Sequence, residues 1–174
     1  MKNRLFAVVI CVSALANASD ASPDSTWWKP VGQATLSWGF WDIYHSTLYT
    51  PDGDFESLSA TPLKLLIRYK RDITKQRLLD ATEKQWVHLG YREENISSWL
   101  ATLDAIWPDI KEGDKLSYLL ENGVGWFRFW PVEGKDGEIG KIEDPELAQA
   151  FIGIWLSEDT AYPELRLALL GGEL

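Results

Sequence analysis

The hydrophobic period of this chain alternates between that of a strand and that of a helix, in long separate blocks, and this segregation constrains the fold more than any other feature. From Val31 to Thr50 the residues are mostly β-branched and aromatic, with Leu36, Trp38 and Phe40 on one alternation and Ile43 and Tyr49 on the other. The change of phase around Gly39 predicts a bulge or a tight turn there. Pro51-Asp52-Gly53-Asp54 marks a turn, and Pro62 to Lys70 is the cleanest strand. Leu63, Leu65, Ile67 and Tyr69 face one way, while Lys64, Arg68 and Lys70 face the other, as burial of one sheet face requires.

The period then lengthens. Leu78, Leu79, Thr82, Trp86 and Leu89 recur at helical spacing, with Thr74 as a capping residue and Gly90 as a left-handed stop. Ile96, Trp99, Leu100, Leu103 and Trp107 form the stripe of a second helix from about Asn95, ended by Pro108. Both helices are expected to lie on a sheet. After Gly113-Asp114 the strand pattern returns as Lys115 to Glu121 and Val124 to Trp130, joined by Asn122-Gly123, a two-residue hairpin signal because both turn positions need positive φ. A short strand, Glu138 to Ile142, follows. Asp144-Pro145-Glu146 opens a helix with the buried stripe Leu147, Ala150, Phe151, Ile154 and Trp155, and a last helix covers about Tyr162 to Leu170. Strand blocks separated from helical blocks predict an α+β domain, a large antiparallel sheet with helices on one side.

Composition sets the outer bounds. A chain of 174 residues, 45% hydrophobic and 25% charged, is an ordinary globular domain. The formal net charge of −9 repels a phosphate backbone, so no nucleic-acid partner is expected. Lys2 and Arg4, the apolar run Leu5 to Val12 and the small residues Ala16-Asn17-Ala18 match a secretory signal over residues 1–18, with a periplasmic or secreted destination. Residues 19–30 are expected to be a flexible leader and residues 31–174 the folded domain. No later segment is apolar enough to cross a membrane, so stable membrane insertion is not expected. Cys11 is the one cysteine and lies in that signal, which removes disulfides, a thiol nucleophile and a thiolate metal site from the exported chain.

Standard catalytic motifs are absent: no Gly-x-Ser-x-Gly elbow, no His-Glu-x-x-His and no Gly-rich phosphate loop. No cofactor and no metal are expected. His45 and His88 show no spacing for a shared site, and Asp52-Gly53-Asp54-Phe55-Glu56 is explained by turn chemistry without an ion. Arg68-Tyr69-Lys70-Arg71 concentrates cations at a strand end, where a phenolic and cationic rim suits an acidic head group, although pairing with Asp72, Asp80 and Glu83 accounts for it equally well. Ten tryptophans are unusual. Trp86, Trp99, Trp107 and Trp155 fall on helical stripes and are expected to pack against the sheet, whereas Trp38, Trp41, Trp126 and Trp130 lie on strands that are candidates to line an apolar pocket. Trp27 and Trp28 precede the fold.

The order of Val31-Gly32-Gln33, Phe40-Trp41-Asp42-Ile43-Tyr44, Leu48-Tyr49, Tyr69-Lys70-Arg71-Asp72-Ile73, Asp144-Pro145-Glu146-Leu147-Ala148, Ala150-Phe151, Gly153-Ile154-Trp155-Leu156 and Pro163-Glu164-Leu165-Arg166 resembles the bacterial chalcone isomerase-like proteins. The resemblance implies an open-faced β-sandwich, a large antiparallel sheet carrying a helical layer. Its relatives include plant enzymes that close a chalcone to a flavanone and fatty-acid-binding proteins without that activity. Aligning Trp86 to Gly90 with the corresponding helix end of the plant enzymes puts the position of their catalytic tyrosine on Thr74 and that of their catalytic asparagine on Ala81, and no Arg or Lys occurs between Val31 and Thr50 to match their strand arginine. The expectation is a non-catalytic protein that binds a small apolar or amphipathic ligand such as a fatty acid, with Tyr44, Tyr69, Arg71 and Trp86 at the pocket or its rim. The alternatives are an intramolecular lyase of the chalcone isomerase type with a rebuilt site, tested at Thr74, and an envelope protein-interaction module.

Overall fold

The computed structural model describes residues 27–60 and 62–172. The expected signal segment and most of the expected leader lie outside them. Six strands form one antiparallel sheet in sequence order: β1 (Lys29–Trp38), β2 (Trp41–Thr50), β3 (Leu63–Tyr69), β4 (Lys115–Glu121), β5 (Val124–Trp130) and β6 (Gly137–Ile142). Helices α1 (Lys75–His88) and α2 (Glu93–Ile106) are inserted between β3 and β4, and α3 (Pro145–Leu156) and α4 (Pro163–Leu169) follow β6. This is the α+β architecture expected from the alternating periods, with the sheet beginning at Lys29, inside the expected leader.

Local chemistry sets the element ends. Asn122 and Gly123 have φ of 52° and 77°, which fits the primed turn that closes β4 on β5. Gly39 has φ of 61° and closes β1 on β2, and the register shift expected near it falls between Leu36 and Ser37, where Ile43 is passed over in the pairing with β2. Thr74 caps α1 by accepting from the Arg77 amide at 3.4 Å, and Asp144 caps α3 by accepting from the Glu146 amide at 2.9 Å, with Pro145 at the first helical position. Thr50 ties the acidic loop: its single hydroxyl proton is shared between Asp52 Oδ1 and the Asp54 carbonyl, and its oxygen accepts from the Gly53 amide.

The sheet's inner face buries Tyr44, Leu48, Leu63, Leu65, Ile67, Tyr69, Leu116, Tyr118, Leu120 and Phe127. Helix α3 crosses β4, β5 and β6 and is buried almost all round, because α1 and α4 flank it on its other sides. Helix α1 packs chiefly on α2 and α3, and α2 meets the sheet at β6. The core is aromatic and packed edge to face: Trp107, Tyr118, Phe127, Phe151 and Trp155 form one group, and Trp86, Trp99 and Tyr91 another. Gly125 makes this possible. A Cβ there would lie 2.1 Å from the Tyr118 hydroxyl, which reaches over it to donate to the Ala148 carbonyl of α3 at 2.7 Å.

The opposite face carries no helix among the described residues. Its half-buried rings are covered by cations: Lys64 over Trp28 and Tyr49, Arg128 over Trp130, and Lys141 over Trp126, at 4.7–5.6 Å from ring centroids. None of the four strand tryptophans that were candidates to line an apolar pocket borders the groove beside α4, and Trp38 and Trp41 are exposed. The four helix-associated tryptophans are buried as expected.

Candidate functional site

A concavity lies at the β1 end of the sheet, where α4 packs along β1 and β2. The two elements touch at one end and diverge at the other. Gly32 sits directly beneath the last turn of α4: a Cβ at that position would lie 2.2 Å from the Ala168 carbonyl oxygen, 2.6 Å from that of Leu169 and 2.7 Å from the Gly171 amide. Glycine in a strand interior commonly marks such a close approach of two backbones. From this contact a groove of about 800 Å³ opens along β1 toward Ser37. Ala34, Leu36, Leu165, Ala168 and Pro163 supply its apolar lining, and Gln33, Thr35, Ser46, Tyr162 and Glu164 contribute polar groups. Thr35 and His45, paired across β1 and β2, hydrogen-bond to each other through Oγ1 and Nδ1.

Two phenols near the groove are each hydrogen-bonded to a neutral side chain. The Tyr44 hydroxyl accepts from Trp155 Nε1 at 2.9 Å, and the Tyr162 hydroxyl accepts from Gln85 Nε2 at 3.2 Å. Each phenol oxygen accepts a hydrogen bond from an N–H, which leaves its own O–H as a donor. Tyr162 is one of the residues that line the groove. Burial pushes the Tyr44 and Tyr69 phenols well above their ordinary titration range, and the two rings meet edge to face at 6.1 Å. They are neutral donors through the physiological range, not phenolates.

The four residues singled out from the sequence occupy different places. Tyr44 and Tyr69 are together on the inner face, below the groove. Trp86 is fully buried, its indole N–H donating to the Ala150 carbonyl at 2.9 Å, so its stripe position on α1 describes it better than a pocket role. Arg71 is exposed beyond the end of β3. Its neighbour Asp72 accepts from the Glu112 amide and from Lys111 Nζ, which hold that carboxyl below the usual range and tie the β3–α1 connection to the segment after α2. Asp80 accepts from Gln76. The two histidines are apart, His45 bonded to Thr35 and His88 Nε2 lying 3.0 Å from the Asp159 carbonyl. Among the described residues no cluster of His, Cys, Asp and Glu is arranged to hold a metal, and no helix is long and apolar enough to cross a membrane.

The model of the family described as chalcone isomerase-like matches residues 32–171, running from Gly32 to its contact Gly171. The chain belongs to the chalcone isomerase-like family. A protein of Haemophilus influenzae described as uncharacterized is 28% identical over 144 residues, covering 83% of this chain and 68% of that one. The sheet with its one-sided helical layer is the fold that membership implies. On this chalcone isomerase-like chain, Thr74 and Ala81 are both exposed on α1, with Thr74 engaged in capping, and neither lines the groove.

Tyr162 with its partner Gln85, and Trp155 with its partner Tyr44, were paired by no sequence signal. Tyr162 and Gln85 are 77 positions apart and meet through the return of α4 across β1 and β2. Gly32, an isolated glycine in a strand pattern, was the one local signal of that return.

The buried phenols give a pH signature. Tyr44, Tyr69 and Tyr118 all have folded-state values raised by burial above the 10.0 of an exposed tyrosine. The stability linked to them is fully present below about pH 10 and is lost as pH rises through the folded-state values, because the unfolded chain releases these protons first. In an alkaline titration followed by tyrosinate absorbance and far-UV circular dichroism, these three phenols should ionise only together with unfolding. Ionisation of all six tyrosines before any loss of structure would contradict their burial.

Proposed function

We propose that this chalcone isomerase-like protein is a non-catalytic binder of a small neutral amphipathic molecule, held in the groove between β1, β2 and α4. The observation that carries the reading is the groove itself, with apolar walls and a phenol donor at Tyr162 backed by Gln85. An apolar concavity with few convergent polar groups is the usual form of a small-molecule site. The head group follows from the lining charges. The groove lining contains Glu164 and His45 and neither Lys nor Arg among the described residues, so a carboxylate would meet a like charge and no permanent cation to pair with. A hydroxyl, carbonyl or ester oxygen can instead accept from Tyr162, with the tail along Ala34, Leu36, Leu165 and Ala168. The exposure of Thr74 and Ala81 outside the groove supports the non-catalytic reading, since neither is placed to act on a molecule bound there.

A pair of matched ligands tests this. The purified full chain is titrated with a long-chain fatty alcohol and with the fatty acid of the same length, at neutral pH and below micelle-forming concentrations, following tryptophan emission. The alcohol should bind saturably and at least tenfold more tightly than the acid. Saturable binding of the acid alone, or of neither, would overturn the assignment.

A further inference from the structure

The β1–β2 hairpin ends in an apolar cluster that neither the core nor the groove uses. The pairing of β2 with β3 begins at Tyr44 opposite Tyr69, so Trp38 to Asp42 extend past the third strand. Trp38 and Trp41 are paired across the two-residue Gly39-Phe40 turn and share one face of the ribbon, with Phe40 at the apex. Trp38 is 80% and Trp41 69% exposed, and Phe40 is fully so. Asp42 is the sole charged residue of the tip, and its carboxylate accepts from Ser37 Oγ at 2.7 Å.

We propose that this tip enters the interfacial zone of a lipid bilayer and holds the protein at a membrane surface. Three aromatic side chains of about 150–250 Å² each, exposed to this degree, offer on the order of 400–600 Å². That is below the roughly 800 Å² per partner of a stable protein interface, and it stands on a narrow convex turn that a protein would have to receive in a matching cavity. A bilayer needs no such complementarity, and tryptophan is the residue type that settles at the boundary between head groups and acyl chains. The tip has no Lys or Arg, and the chain is acidic at −9, so apolar insertion and not attraction to anionic lipid drives the contact. The groove adjoins it: Ser37 lines the groove and Trp38 begins the tip. An amphipathic molecule leaving the bilayer at the tip thus meets the open end of the groove. That last step rests on the proposed ligand reading, whereas the anchor does not.

The test uses the full chain and vesicles of phosphatidylcholine with brominated acyl chains. Wild type should partition to the vesicles with quenching of tryptophan emission. The combined variant Trp38→Ala, Phe40→Ala, Trp41→Ala should partition at least tenfold more weakly, with that quenching reduced. Adding anionic phosphatidylglycerol should not strengthen binding. Partition unchanged by the triple substitution, or a wild type that does not partition at all, would overturn the anchor, the latter leaving a protein partner as the occupant. Binding of the fatty alcohol, measured without vesicles, separates the two ideas. The triple variant should retain it, and its loss in wild type with partition intact would defeat the groove reading while leaving the anchor standing.

Discussion

Trp86→Ala is expected to cost about 3–5 kcal/mol of folding stability, a large share of the 5–15 kcal/mol that holds a typical domain folded. The side chain has no exposed surface, packs edge to face on Trp99 at 5.2 Å between centroids, and donates its indole N–H to the Ala150 carbonyl of α3 at 2.9 Å. It joins α1, α2 and α3 into one helical layer. Truncation leaves a cavity between three helices and removes a buried hydrogen bond, while Trp86→Phe retains part of the packing and should cost less. Urea unfolding measures this as a fall in midpoint at unchanged slope. The result also discriminates roles: a pocket residue would lose ligand affinity with little change in midpoint, and that outcome would contradict the core assignment.

Gly32→Ala should separate the groove from the rest of the fold. The added methyl lies 2.2–2.7 Å from three backbone atoms of the α4 terminus, none of which can rotate away as a side-chain tip could. Either the strand and helix shift, at about 1–3 kcal/mol for overpacking, or α4 lifts off. Undocking exposes Leu165 and Leu169 and costs about 3–6 kcal/mol at the usual value of a buried leucine, which sets the upper limit. In both cases the groove loses its wall, so binding of the neutral amphiphile should fall at least tenfold while the aromatic core around Phe151 persists. Gly137→Ala is the matched control, because a Cβ there meets no atom within 4 Å. Thermal unfolding and alcohol titration of both variants check the prediction. Unchanged affinity in Gly32→Ala would mean that the ligand site lies elsewhere.

The fold was legible in the sequence because its strands bury one face and its helices one stripe. Leu63, Leu65, Ile67 and Tyr69 alternate with Lys64, Leu66 and Arg68, so that β3 was read from its period despite the one apolar outward residue, and Asn122-Gly123 marked the β4–β5 turn through the positive φ that both residues adopt. The same alternation placed Tyr69 on the buried face, but in β2 it singled out Ile43 and Tyr49, which are half-buried, while Tyr44 and Leu48 of the other phase are the buried residues. It did not distinguish a half-buried face capped by cations from a pocket wall. Lys141 reaches Trp126 across the β5–β6 register, which sequence does not show, whereas Arg128 covers Trp130 from two residues away on the same strand. Nor did local pattern show that α1 rests on helices, because a helical stripe buries equally well against either kind of neighbour. The groove required tertiary information throughout. Tyr162 precedes a seven-residue helix and gains its place only when α4 folds back on β1, the approach that Gly32 permits.

The most direct test of the groove assignment is backbone-amide NMR of the full chain titrated with the long-chain fatty alcohol. Saturable shift changes should concentrate at Gln33 to Ser37, Ser46 and Tyr162 to Ala168, the two walls of the groove, and be absent from the start of α1. Changes centred on Thr74 and Ala81, or no saturable change anywhere, would contradict the account.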